Sequence, residues 1–354
     1  MKKKYLNKYY NIVYSMNNIN QIIISNIPVI IDIFHSVKYN SIIFIINNPK
    51  YIFENTGIKI KQNIQITINQ TPHNITYVEP TDFYHIEQVN CKTMFEITGF
   101  HMEVGIIKNI NPSSEPTKVK VQLNDEIFLF DIYQPDTTFI SQKCLTTIHK
   151  SQHHLIPQWI DYHKKIGFDK FIIYDNDWNE YENMILKTKY NHDILIIDAN
   201  WPYWLYNESM GQVIQQNHAI WKYSPKFLGL TDLDEYINID HQFLFDPTYS
   251  VVSIPNTFFG CGRNVKYAPS NFIEKLLYRE HQTNNTSRRK CIIQSDKVDL
   301  FCVHIPVTFD KNIYYLNFSE GYLNHYRQLS CNKDIGCNCN DRCSVYDSSI
   351  LTKL

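Results

Sequence analysis

The spacing of hydrophobic and polar positions changes character near residue 140. Before it, short runs rich in β-branched and aromatic residues recur at Ser41–Ile46, Ile58–Lys61, Ile64–Ile68, Val119–Leu123 and Glu126–Tyr133. From Ile58 to Ile68 apolar residues return with a period near two, the pattern of a strand with one face buried. Asn47-Asn48-Pro49, Asn111-Pro112-Ser113-Ser114 and Asn124-Asp125 supply turn residues between the runs. No helical period is evident between residue 40 and residue 140. This half predicts an antiparallel, sandwich-like β domain over residues 1–140.

After Lys143 the pattern becomes strand, helix, strand. Cys144–His149 is a short apolar run, and Leu155, Ile156, Trp159, Ile160 and Ile166 fall on one helical face. Gly167 follows, where a helix stop favours glycine. Lys170–Tyr174, Ile194–Asp198 and Lys226–Leu230 predict buried strands, with a helix over Glu208–Tyr223. Such alternation predicts a mostly parallel sheet with helices on its faces, and ligands bind beyond the carboxyl ends of such strands. Asp175, Asp177, Asp198, Asp232 and Asp234 all fall at those ends.

Composition narrows the classes. Lys plus Arg is 34 against 35 for Asp plus Glu, a formal net charge of −1, which argues against a nucleic-acid-binding face. At 44% hydrophobic and 14% aromatic, the chain is too apolar for a disordered protein. The run Ile19–Phe34 is interrupted by Asn20, Gln21, Asn26, Pro28 and Asp32. A membrane anchor needs about 20 predominantly apolar residues, and no secretory signal follows Met1-Lys2-Lys3-Lys4. These features predict a cytoplasmic protein. Asn, Ile, Lys and Tyr, residues with AT-rich codons, are heavily used, and without an anchor this is consistent with a viral source. Four of the nine cysteines (Cys331, Cys337, Cys339, Cys343) crowd a tail at 331–354, at spacings that do not match the common paired zinc arrangement.

The chemistry concentrates at Asp232-Leu233-Asp234-Glu235. Carboxylates at i and i+2 leaving a strand point the same way and can share one divalent cation, which can hold a diphosphate.

Around it, His149-Lys150-Ser151-Gln152 runs into Gln158-Trp159-Ile160-Asp161-Tyr162-His163, then Ile166-Gly167-Phe168 and a strand ending in Tyr174-Asp175-Asn176. This resembles the opening of glycosyltransferase family 92. Asp232-Leu233-Asp234-Glu235-Tyr236 is similar to that family's Asp-x-Asp-Glu-Phe. Phe259-Gly260, Lys290, His304 and His325-Tyr326-Arg327 follow in the family's order. Ser151-Gln152 stands where the family has Asn-Glu, and Gln158 where it has Glu.

The resemblance implies an α/β GT-A fold, Rossmann-like, over residues 141–330. It implies a UDP-sugar donor with galactose foremost, Mn²⁺ (or Mg²⁺), an inverting transfer, and a glycan or glycoprotein acceptor. Asp232 and Asp234 would bind the cation, with His304 or His325 as a further ligand. Lys150, Asp175, Asp232, Lys290 and Arg327 would contact the donor, the cationic side chains neutralising its diphosphate. Glu274 would be the general base and Trp204 an acceptor contact. The β-rich domain would bind glycan or orient the acceptor. Two alternatives stay open: a degenerate, glycan-binding relative, and a nucleotidyltransferase, which would carry a Gly-rich phosphate loop that does not follow Leu145–His149.

Overall fold

The computed structural model describes residues 10–11, 19–24, 27–36, 38–47, 52, 54, 64–78, 102–108, 110, 114–134, 137–204, 210–260, 272–281, 289–309, 312–326 and 343–353. The predicted strand Ile58–Lys61, the turns at 48–49 and 111–113, Arg327, Cys331, Cys337 and Cys339 lie outside them. The chain divides into two compact units: residues 1–140 with 197–224, and residues 141–196 with 225–354.

The first unit is built on strands β1 (Tyr10–Asn11), β2 (Ile22–Ile24), β3 (Ile27–Ser36), β4 (Ser41–Asn47), β5 (Ile64–Ile68), β6 (Thr71–His73), β7 (Thr76–Val78), β8 (Met102–Lys108), β9 (Thr117–Leu123) and β10 (Glu126–Ile132). They form two antiparallel sheets, ordered β1-β2-β3-β4-β8-β7 and β10-β9-β5-β6. A core that includes Ile30, Phe44, Ile66, Val121 and Phe128 draws side chains from both sheets. In β9 and β10 the alternation is that of half-buried strands: Val119, Val121, Leu123, Phe128, Phe130 and Ile132 turn inward. The pair closes through Asn124-Asp125, Asn124 taking the left-handed backbone (φ 54°) that a two-residue hairpin requires. β3 and β4 are buried along nearly their whole length, so no alternation marks them.

The second unit contains β11 (Lys143–His149), α1 (Ile156–Lys165), β12 (Lys170–Asp175), α2 (Glu180–Tyr190) and β13 (Ile194–Asp198), the last running up to the division. Within the first unit follow α3 (Met210–His218) and a π-helical turn, Ala219–Tyr223. The second unit resumes with β14 (Phe227–Leu230), β15 (Glu235–Ile239), α4 (His241–Leu244), β16 (Val251–Ile254), β17 (Asn256–Gly260), α5 (Phe272–Lys275), β18 (Tyr278–Glu280) and β19 (Lys290–Ile293). Last come β20 (Val298–Cys302), β21 (Ile305–Phe309), β22 (Ile313–Tyr315), β23 (Gly321–His325) and β24 (Cys343–Tyr346).

A seven-stranded sheet runs β13-β12-β11-β14-β19-β16-β22 and a five-stranded one β15-β23-β17-β18-β24. β11 pairs in parallel with β12 and β14, but β19 runs antiparallel to both β14 and β16, so the sheet is mixed. α1 starts with Pro157 in its first turn and ends before Gly167 (φ 105°). It buries Trp159, Ile160, Tyr162 and His163. Tyr162 donates to the Ile237 carbonyl (2.7 Å), and the Ile237 amide donates to His163 Nε2 (3.3 Å), so α1 is fastened to β15. β24 pairs with β18, which makes Cys343 part of the fold: it is buried, its thiol directed at the Phe258 carbonyl. Among the described residues no helix is long and apolar enough to cross a membrane.

Candidate active site

Two strands of the second unit pass from one sheet to the other, and the candidate site sits where they do. β14 ends in the seven-stranded sheet at Leu230; the chain turns through Thr231–Asp234 and enters the five-stranded sheet as β15. β16 likewise ends at Ile254, and after Pro255 the chain continues in the other sheet as β17. Lys290 opens β19 opposite Ile254, and His325 closes β23 opposite both Glu235 and Phe258.

This register collects charged side chains. Lys290, 1% exposed, places Nζ 2.9 Å from Asp232 Oδ2 and 3.4 Å from Glu235 Oε2. Glu235 is likewise buried. It accepts from the Asp232 amide (2.9 Å) and from Asn256 Nδ2 (2.9 Å), which fixes the Asp-Leu-Asp turn against β17. His325 lies between two carboxylates, Nε2 at 3.4 Å from Asp234 and Nδ1 at 3.6 Å from Glu235. The Tyr326 amide donates to the Asp234 carbonyl (2.7 Å), tying the turn to the end of β23.

The electrostatics follow from this packing. Burial pushes the Glu235 carboxyl up; Lys290 opposes that, Asp232 reinforces it, and the net result is a raised pKa. Burial would lower the His325 imidazole, but Asp234, Glu235 and Asp232 outweigh it and leave it raised. His304, in the turn between β20 and β21, donates from Nδ1 to the Arg289 carbonyl (3.0 Å), which leaves Nε2 unprotonated. Burial, with the Lys290 charge, pulls it down to about 4 against the pull of Asp232, so it is neutral near pH 7.

Of the residues singled out in the sequence, Asp232, Asp234, Lys290, His304 and His325 are thus in one electrostatic cluster. Asp175 and Lys150 belong to the neighbouring strand ends: Lys150 is exposed, whereas Asp175 is fully buried and turned inward. Glu274 is exposed on α5, whose Phe272 packs edge-on against Tyr236 and Tyr326, the residues that follow Glu235 and His325. Trp204 belongs to the first unit; it is 62% exposed, its ring 5.6 Å from that of Tyr203. Glu235 and Asn256 are organising residues that reading the sequence did not assign. The only signal for Glu235 is its place directly after Asp-Leu-Asp, and for Asn256 there is none.

The family model of glycosyltransferase family 92 matches residues 142–349, more than half of the chain. A glycosyltransferase family 92 protein of Oryza sativa subsp. japonica is 24% identical over 201 residues, covering 52% of this chain and 33% of the relative. A family 92 protein of Ricinus communis is 20% identical over 156 residues, covering 41% and 28%. The chain thus aligns with about a third of the length of these curated relatives. Among solved structures, HddC from Yersinia pseudotuberculosis is similar at TM-score 0.33 and 8% identity, over 56% of this chain and 99% of that one. A mannosyltransferase of Pyrobaculum calidifontis, solved with GDP-Man and Mn²⁺, is similar at TM-score 0.27 and 14% identity, over 46% of each chain. Scores this low bear on neither fold nor function. The family match begins just before β11 and extends past β24, spanning the elements that carry Asp232, Asp234, Lys290, His304 and His325, and the chain belongs to glycosyltransferase family 92.

Proposed function

We propose that this chain is a metal-dependent, inverting glycosyltransferase of GT-A type that moves a hexose, galactose foremost, from a UDP-sugar to a glycan or glycoprotein acceptor. The observation that carries the reading is the cluster of Asp232, Asp234, Lys290, His304 and His325 where the chain crosses between the two sheets. Its donor set fits a cation of the Mn²⁺ class: carboxylates from one turn, and imidazoles whose second nitrogen faces a carbonyl or a carboxylate. Asp232 and Asp234 with His304 or His325 would hold it. Such a cation supplies Lewis-acid stabilisation of the charge that develops on the departing diphosphate.

The chain's own residues supply the rest. Lys290 presents a buried ammonium next to Asp232, where it would also neutralise phosphate oxygens; Arg327, directly after Tyr326, would add a bidentate contact. Glu235 holds Asp232 and faces His325, so that the turn and the imidazole keep their places as donor binds. Lys150 would contact the nucleotide. Glu274 would take the proton of the acceptor hydroxyl as its oxygen bonds to the anomeric carbon and the bond to UDP breaks. Trp204 offers an exposed indole face for an acceptor sugar, and the β-rich unit would bind or orient the acceptor.

The test is calorimetric titration of UDP into the protein with Mn²⁺ and with EDTA, on wild type and Asp234→Ala. Binding that needs both the metal and Asp234 is the expected result. Absence of binding in every condition overturns the UDP reading; other nucleotides are titrated next, and failure of those as well favours the degenerate, glycan-binding relative.

A further inference from the structure

A second cluster lies one strand away from the Asp-Leu-Asp turn, and the reading above gives neither of its histidines a role. β11 and β12 end side by side in register, His149 opposite Asp175, and four residues after His149, at the start of the helical turn His153–Leu155, His153 lies against the same strand ends. His153 Nε2 lies 3.0 Å from Asp175 Oδ2 and His149 Nε2 3.9 Å from Asp175 Oδ1. The imidazoles meet edge to face, with centroids 4.6 Å apart. One ligand atom from each of the three residues falls within 4.8 Å of the others, and all three side chains are buried.

His149 is the telling member. It is 1% exposed, and among the described residues neither ring nitrogen has a hydrogen-bond partner. A buried imidazole with both nitrogens unsatisfied loses its hydration without compensation. Asp175 is already oriented by outer donors: the amides of Asp177 and Asn179 (each 3.1 Å) and Asn183 Nδ2 (2.7 Å). Metal-binding carboxylates are commonly held in this way.

We propose that His149, His153 and Asp175 form a binding site for a Zn²⁺-class cation, separate from the cation site at Asp232 and Asp234. Two imidazoles and one carboxylate suit Zn²⁺ and not Mg²⁺ or Ca²⁺, which take oxygen ligands. Zinc bonds of about 2.1 Å at tetrahedral angles place ligand atoms roughly 3.4 Å apart; here the two imidazoles approach different oxygens of Asp175, and one ligand atom from each residue lies within 4.8 Å of the others, so side-chain rotation has to draw them together. The fourth position is for water or a small ligand. His153 also lines a pocket of about 270 Å³, with Ser151, His154, Asp177, Asn179 and Glu182. Its two further carboxylates favour positive charge. On loading, the His153 Nε2–H···Asp175 bond is replaced by a bond from each residue to the cation; an imidazolium gives its Nε2 proton to solvent and keeps the one on Nδ1, and a neutral ring moves its single proton to Nδ1. The cation would clamp the turn after β11 to the turn after β12.

Equilibrating the full chain with Co²⁺ and with Zn²⁺, dialysing and counting metal tests this. Wild type should retain one equivalent at this site. Its Co²⁺ form should show the intense visible bands of a four-coordinate ion without a thiolate-to-cobalt charge-transfer band, which the cysteines of the tail would produce. Asp234→Ala should retain the same spectrum. His149→Phe, which fills the same space with no polar atom to satisfy, should fold, as circular dichroism would show, yet bind at least about 100-fold more weakly. Asp175→Asn should do likewise. Failure of wild type to bind, or binding unchanged in His149→Phe, overturns the proposal. The UDP titration stands apart: its outcome depends on Asp234, and this one on His149.

Discussion

Glu235 is the residue on which the candidate active site turns. Its carboxylate lies against the Asp232 amide, Asn256, Lys290 and His325. Glu235→Gln keeps the shape but removes the charge that Lys290 and His325 face. A carboxylate standing behind a metal-binding imidazole typically contributes 10–100-fold in metal affinity. The expected outcome is a Mn²⁺ dissociation constant raised by about that factor in a paramagnetic-resonance titration, with the circular dichroism of the fold unchanged. The turn of acids at Asp232-Leu233-Asp234 was legible, because acids after an apolar strand are a local pattern. The part played by Glu235 was not. It depends on the pairing of Glu235 with His325, ninety positions along the chain, and no local spacing records that register. The same holds for His149 and Asp175, which meet only because β11 and β12 lie parallel and in step.

At the scale of elements, legibility followed burial on one face. β5, β9, β10 and α1 fall where periodicity placed them, because each shows one side to a core and the other to water. α2 was missed: it leaves Tyr181, Met184 and Ile185 exposed, so its apolar residues mark no single inward stripe. β15 is buried along its whole length and carries no alternation to read. The joint between α1 and β15 gives an element-scale prediction. His163 donates to the Trp159 carbonyl (2.8 Å) and accepts from Ile237, and burial depresses its pKa to about 3. A histidine held neutral in the fold contributes its full share above its unfolded pKa of about 6.5 and loses it as pH falls towards 3. His163→Phe should therefore be less stable than wild type at pH 7, by about 1–3 kcal/mol for the unsatisfied backbone groups it leaves. That gap should narrow steadily between pH 6.5 and pH 4 in urea unfolding curves.

At the scale of the whole molecule, the first unit borrows residues 197–224 from the middle of the chain. An ion cluster fastens them. Asp32 on β3, fully buried, accepts from His218 Nε2 (2.9 Å) and from Lys222 Nζ (2.6 Å), the latter in the π-helical turn. Burial alone would raise the Asp32 carboxyl; Lys222 and His218 more than reverse this, and its pKa is lowered. Asp32→Asn removes a fully buried charge that the partly buried Lys222 ammonium and His218 face, and should destabilise the first unit by about 3–5 kcal/mol, read from denaturant unfolding at pH 7. A carboxyl lowered in the fold gives stability that is present above its unfolded pKa of about 3.9 and lost as pH falls through the folded value. The difference between Asp32→Asn and wild type should therefore hold down to about pH 4 and close only below it, a window distinct from that of His163. The change of pattern near residue 140 was readable in the sequence, but the return of residues 197–224 to the first unit was not. Asp32 and Lys222 look, along the chain, like unrelated charges.

The antiparallel pairing of β15 with β23 also limits how this protein can vary in length. Glu235 faces His325 at one end of the ladder, and at the other Ile239 faces Gly321, whose φ of 140° and closeness to the Ile239 backbone leave no room for a β-carbon. Side chains on a strand alternate sides, so gaining or losing one residue between Gly321 and His325 would turn the imidazole to the opposite face. Point substitutions between these two ends, at Tyr322, Leu323 or Asn324, leave the register in place; insertions and deletions do not, and length variation among functional descendants of this chain should avoid Gly321–His325 altogether.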